Sequence, residues 1–190
     1  MVEQADAFAA GDAALKSEFI ANFYGHFFFT VNLLTLLAQV FLVARVIQGL
    51  GVHRAVLVLP LISLAGYGLV AFLPVFSILR VVKVLENATD YSLMNTTRHA
   101  LYLPLSAAQK YEGKTTIEGF FWRFGDLLQA AAIYAGLNWF GYGIGEFAAF
   151  NMMLAAAWLV VAWELSQLYR ARERAAATLY DVRNPQREQE

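Results

Sequence analysis

The chain has 190 residues, of which 59% are hydrophobic and only 15% charged, with a mean hydropathy of +0.49. Soluble domains carry about a quarter charged residues, so this composition excludes an ordinary soluble domain and points to the membrane. A net charge of −1 gives no reason to expect a nucleic-acid partner, and the absence of cysteine excludes a disulfide framework.

Residues 1–22 are mixed and acidic and lack the basic start and short apolar core of a cleavable signal, so they form an extracytoplasmic loop and amphipathic entry segment. A membrane-spanning helix needs about 20 mostly apolar residues. Residues 27–44, 55–79, 127–145 and 147–162 hold no Asp, Glu, Lys or Arg. The pattern predicts an all-α, polytopic membrane protein with five spans, at 23–48, 54–72, 75–95, 119–140 and 146–168, in one transmembrane domain over 23–168. Gly49 and Gly51 end the first span, Pro74 divides the second from the third, and Gly141, Gly143 and Gly145 form the turn before the last. Pro60, Gly66 and Gly68 lie inside the second span, where close helix contact tolerates small residues and kinks.

Between the third and fourth spans, residues 96–118 mix Pro104, Gly113 and polar groups with Leu101, Leu103 and Leu105, a composition suited to short interfacial helices. Residues 169–190 form a charged tail expected to fray beyond Asp181. Lys and Arg near span ends favour the cytoplasm. Arg45 and Arg54 flank one loop, Arg98, Lys110, Lys114 and Arg123 mark another, and Arg170, Arg172 and Arg174 follow the last span, whereas the loops around Pro74 and Gly143 carry none. Lys16 alone runs against the alternation. The N-terminus is therefore expected outside and the C-terminus in the cytoplasm.

Charges within a span mark function by default, because each costs about 2.5–3.5 kcal/mol on insertion scales. At about 100° per residue, Arg80, Lys83, Asn87, Asp90, Tyr91, Met94 and Arg98 share one sector of the third span, opposite Val81, Val82, Leu85, Ala88 and Ser92. Glu86 borders this wet stripe, three residues from Lys83 and four from Asp90, so Lys83 can neutralise part of the acidic pair. The stripe fits a polar pathway in which Arg80 and Lys83 attract an anionic solute and Glu86 or Asp90 gates it. It also fits a salt-bridge network between helices, or a helix end at the aqueous boundary.

Arg123 and Asp126, one turn apart at the start of the fourth span, form a second constellation, which is either a substrate contact or a local interfacial pair. Gln129, Tyr134 and Asn138 continue some polarity inward. His26, His53 and His99 have no ligand spacing, and nucleophile elbows, phosphate loops and zinc motifs are lacking. No catalytic residue, cofactor or metal is expected, and the protein is not expected to be an enzyme. The many aromatic residues suit lipid-facing surfaces and interfacial belts, with Trp122 and Trp139 near opposite ends of one span.

The loop RVIQGLGVHRAVL at 45–57 resembles a degraded Gly/Arg loop motif of the major facilitator superfamily. The segment KVLENATDYSLMNTTRHALYLPLSAAQKYEGKTTIEGFFWRFGD is more specific and resembles the ATP/ADP translocase family of nucleotide transporters of plastids and intracellular bacteria. Tyr91, Ser92, Arg98, Tyr102, Pro104, Leu105, Lys110, Gly113, Lys114, Ile117 and Gly125 fit that family's pattern, and a looser likeness extends over 19–170. The resemblance implies the C-terminal half of a twelve-span, major facilitator-like transporter working by alternating access. It implies an N-terminal half as partner and a nucleotide or other organic anion as solute. The departures are Asn95 and Thr96 in place of an acidic residue and a proline, His99 in place of a glutamate, and Asp126 in place of a lysine, which sets like charge against a phosphate. They suggest a divergent bacterial member of the inner membrane whose substrate need not be ATP. Two other readings remain open at this point: a non-catalytic membrane protein whose stripe binds another helical chain, and a general major facilitator permease.

Overall fold

A computed structural model describes residue 8 and residues 12–183. All regular structure among them is helical. The first helix, α1, opens at Asp12, whose Oδ1 accepts from the backbone N–H of Ala14 at 2.8 Å and of Leu15 at 3.4 Å. This carboxylate satisfies donors that have no partner within the helix. From there α1 runs through Ala13–Leu37, a π-helical turn at Ala38–Leu42, and Val43–Leu50. It stops at Gly51, which has φ of +75°, a backbone conformation natural to glycine.

One turn, α2 (Val52–Ala55), leads into α3 (Val58–Phe72). The second expected span is therefore interrupted at Val56–Leu57, with Pro60 in the first turn of α3. Proline removes its own hydrogen bond to residue i−4 and clashes with that carbonyl, and for Pro60 that residue is Val56, where the helix breaks. Leu73, ahead of Pro74, leaves helical geometry with φ −128° and ψ 80°, as the residue before a proline does.

Helix α4 spans Phe76–Thr89, a π-turn at Asp90–Met94, and Asn95–Leu101. Helix α5 spans Ala107–Thr116, a third π-turn at Ile117–Phe121, and Trp122–Asn138. Ser106 and Gln109 start α5 with reciprocal side-chain to backbone bonds, the capping box that follows from S-x-x-Q. The segment 96–118 is thus helical, as composition suggests, but its second helix continues without a break into the fourth span. Gly113 and Gly119 are tolerated inside the hydrogen-bond ladder. Gly141, with φ of +63°, turns the chain into α6 (Ile144–Arg183), where Glu146 Oε2 accepts from the Gly143 N–H at 2.9 Å. The last span and the beginning of the charged tail are one helix. The expected entry segment lies partly outside the described residues, at 1–7 and 9–11, and the expected fraying partly so, at 184–190.

Helix α3 is the hub. It lies against α6 along its length and against α4 on another side, and α4 in turn packs on α1. Val70, Val82 and Ala148 form a buried cluster joining α3, α4 and α6, while Val43, Ala55 and Leu93 join α1, α2 and α4. The α3–α4 approach depends on Gly66, because a Cβ there would stand 2.5 Å from Val82 Cγ1. Small residues permit such backbone approach where lipid gives no hydrophobic drive for association. By contrast, α5 has no buried residue over Ala107–Phe121, and Gly136 alone is buried in its remainder.

Three helical stretches are long and apolar enough to cross a membrane by length and composition: Ala13–Phe41, Val52–Phe72 and Ile144–Ala175. The protein is an all-α, polytopic membrane protein. The charges of α4 and of the α5 segment Ile117–Asn138 set those two helices apart from these three.

Candidate functional site

The charged residues of α4 divide into three groups along the helix. Nearest its start, the Arg80 guanidinium lies over the Phe23 ring of α1 at 5.0 Å, beside a shallow cleft of about 400 Å³ that also involves Asn22, His26 and Ser77.

One turn on, Lys83 and Glu86 meet at 2.7 Å. Helix α3 adds two hydroxyl groups to this pair. Ser63 donates to Glu86 Oε1 at 2.7 Å, Tyr67 donates to Glu86 Oε2 at 2.8 Å, and Lys83 Nζ also donates to the Tyr67 hydroxyl at 3.0 Å. Both carboxylate oxygens are engaged, and the Glu86 side chain is only 16% exposed while that of Lys83 is 42% exposed. Ser63 and Tyr67 stand at i and i+4, on one face of an otherwise apolar helix. That spacing is the signal by which the sequence could have nominated them. Asn87, half-buried, makes no side-chain hydrogen bond among the described residues.

The third group lies beyond the Asp90–Met94 π-turn. Arg98 Nη2 meets Asp90 Oδ1 at 3.3 Å, and the Arg98 guanidinium lies 5.3 Å from the centre of the Trp122 ring. In a regular α-helix, residues eight apart are separated by about 80° around the axis. A π-turn takes in one extra residue, so Arg98 falls where the seventh residue would, about 20° from Asp90. The π-turn is what aligns this pair. The same turn packs against the π-turn of α1, where Gln39 Nε2 donates to Thr96 Oγ1 at 3.3 Å.

Asp90, Tyr91, Asn95 and Arg98 line a cleft of about 740 Å³ together with Trp122 of α5 and Trp158 of α6. Trp158 was not legible as a site residue in the sequence, and Trp122 was legible only as an interfacial aromatic. Arg123 and Asp126 are exposed, do not line this cleft, and make no ion pair among the described residues. Lys110 and Lys114 sit on the exposed first part of α5, with Lys114 3.9 Å from Glu118.

All three groups fall within residues 67–169 apart from Ser63 and the α1 contacts, and those residues match the family described as TLC ATP/ADP transporter. The match takes in more than half of the chain. The chain belongs to the TLC ATP/ADP transporter family. It is also 28% identical over 176 residues to ADP,ATP carrier protein 1 of Chlamydia pneumoniae, an alignment that takes in 80% of this chain and 34% of the carrier. The chain therefore spans about a third of the length of that relative. No solved structure matches it. In this TLC-family chain the paired charges Lys83–Glu86 and Arg98–Asp90 both lie within the matched region.

Proposed function

We propose that the chain is part of a secondary transporter that moves a nucleotide or another organic anion across the bacterial inner membrane by alternating access. The observation that carries this reading is the Arg98–Asp90 pair in an open cleft inside the family-matched region. A cation held by a carboxylate in a membrane-spanning protein avoids the cost of a lone buried charge. A phosphate or carboxylate of the solute can take the place of Asp90, giving the solute charge-assisted hydrogen bonds to Arg98.

In this proposal Arg80, Lys83, Asn87 and Glu86 extend the polar path along α4, and Arg123 with Asp126 guards the cytoplasmic approach. The N-terminus is outside and the C-terminus cytoplasmic. The exposed apolar side of α5, including Phe120, Phe124 and Leu127, suits contact with an N-terminal half in a major facilitator-like arrangement. The name of the Chlamydia relative supports nucleotide as the first solute to try.

The test is exchange of radiolabelled ADP and ATP by the full-length protein in proteoliposomes, with Arg98→Ala and Lys83→Ala alongside. Nucleotide exchange lost in Arg98→Ala is the expected result. Unchanged exchange in that variant would remove the carrying observation, and exchange of other organic anions without nucleotide would replace the substrate.

A further inference from the structure

We propose that the cleft lined by Trp122 and Trp158 receives the planar aromatic part of the transported anion, with its negative charge on Arg98; this rests on the transport reading above and adds a recognition subsite to it. The volume of about 740 Å³ lies within the range of small-molecule sites, roughly 300–1,000 Å³. Tryptophan in membrane proteins usually marks the interface. Trp158 instead lies fourteen residues into α6, about 21 Å from its start, inside the stretch Ile144–Ala175. It shares its cleft with a partly buried ion pair, 29% and 38% exposed at Arg98 and Asp90, which is costly to face towards lipid. The space between them therefore suits water or a polar solute that also offers a flat apolar face.

Trp122 is 53% and Trp158 40% exposed, so part of each indole is left uncovered by the chain's own packing. The Arg98 guanidinium already lies over the Trp122 ring, and a guanidinium held in this way keeps several donors for a ligand. The two ion pairs of α4 differ in a way that assigns them different tasks. Glu86 is held by Lys83, Ser63 and Tyr67 at 2.7–2.8 Å. Among the described residues the Asp90 side chain has one hydrogen-bond partner, Arg98 at 3.3 Å, longer than the roughly 2.7–2.9 Å of strong charge-assisted bonds. The first pair ties helices together, and the second is exchangeable. A nucleoside phosphate matches this cleft, with its base stacked on indole and its phosphate replacing Asp90 on Arg98.

The test measures binding of adenosine, ADP and inorganic pyrophosphate to the purified full-length protein by calorimetry. Stacking on an aromatic side chain is worth about tenfold or more in affinity per base. Trp158→Leu is expected to weaken adenosine and ADP by about tenfold while leaving pyrophosphate within about twofold, and Trp158→Phe to retain most binding. Arg98→Gln is expected to weaken ADP and pyrophosphate and to spare adenosine. Trp163→Leu, which alters an exposed tryptophan outside the cleft, is the control and should change nothing. Unchanged ADP binding in Trp158→Leu, or equal loss of all three probes, overturns the subsite. Pyrophosphate binding by the wild type without adenosine binding also overturns it while leaving anion transport standing, and binding of none of the three refutes both.

Discussion

Replacing Lys83 with methionine removes the cation from the Lys83–Tyr67–Glu86 triangle while keeping an apolar stem of similar length. Glu86 then keeps Ser63 at 2.7 Å and Tyr67 at 2.8 Å as donors, in a place where its side chain is only 16% exposed. Removing one partner of a buried pair costs about 3–5 kcal/mol in soluble cores. The two remaining hydrogen bonds and the 42% exposure of Lys83 lower this, so Lys83→Met is expected to lose about 1–3 kcal/mol. Adding Glu86→Gln removes the stranded charge and still leaves an acceptor for one hydroxyl. The interhelical bond it gives up is worth only about 0.6 kcal/mol on average within membranes. The double variant should therefore be more stable than Lys83→Met alone, by about 1 kcal/mol. Equilibrium unfolding by SDS titration in mixed micelles, run on wild type, both single variants and the double, measures the coupling. Additive losses, with the double variant least stable of all, would refute the assignment of this network as a charge-compensated tie between α3 and α4.

Gly66→Ala places a methyl group 2.5 Å from Cγ1 of the buried Val82, and overpacking of this kind costs about 1–3 kcal/mol. The same unfolding assay should show recovery in Gly66→Ala/Val82→Ala, and no recovery would place the strain elsewhere. Ser106→Ala removes the hydroxyl that accepts from the Gln109 N–H at 3.3 Å, a cap worth about 1 kcal/mol. Faster amide exchange confined to the first turn of Ala107–Thr116 is the expected readout, and unchanged exchange would mean that the cap contributes nothing there.

Much of the helical layout follows from local chemistry. Gly51 and Gly141 stop and turn the chain because their positive φ suits a residue without Cβ. Pro74 ends a helix and Pro60 forces a break four residues back, both through steric limits confined to neighbouring residues. The Lys83–Glu86 pair needed nothing beyond its i,i+3 spacing on one helix. The extent of α5 was less legible, because glycine and a polar composition between 107 and 119 imitate a loop, whereas an unbroken hydrogen-bond ladder carries the helix through.

The amino-acid sequence by itself determined the membrane class, the breaks at Gly51, Pro74 and Gly141, the placement of charge on α4 and the family resemblance. Only the tertiary structure decided which groups meet that charge. Ser63 and Tyr67 reach Glu86 from 23 and 19 residues away because Gly66 lets α3 approach α4 closely. Arg98 meets Asp90 because a π-turn adds a residue between them, and Trp158 joins the same cleft because α6 packs along α3. The physical reason is one of range. Periodicity along a helix fixes which residues share a face, but in a chain this apolar the faces towards lipid and towards protein are both largely apolar, set apart only by a few small or polar residues, so helix crossings and register appear only once the helices are packed.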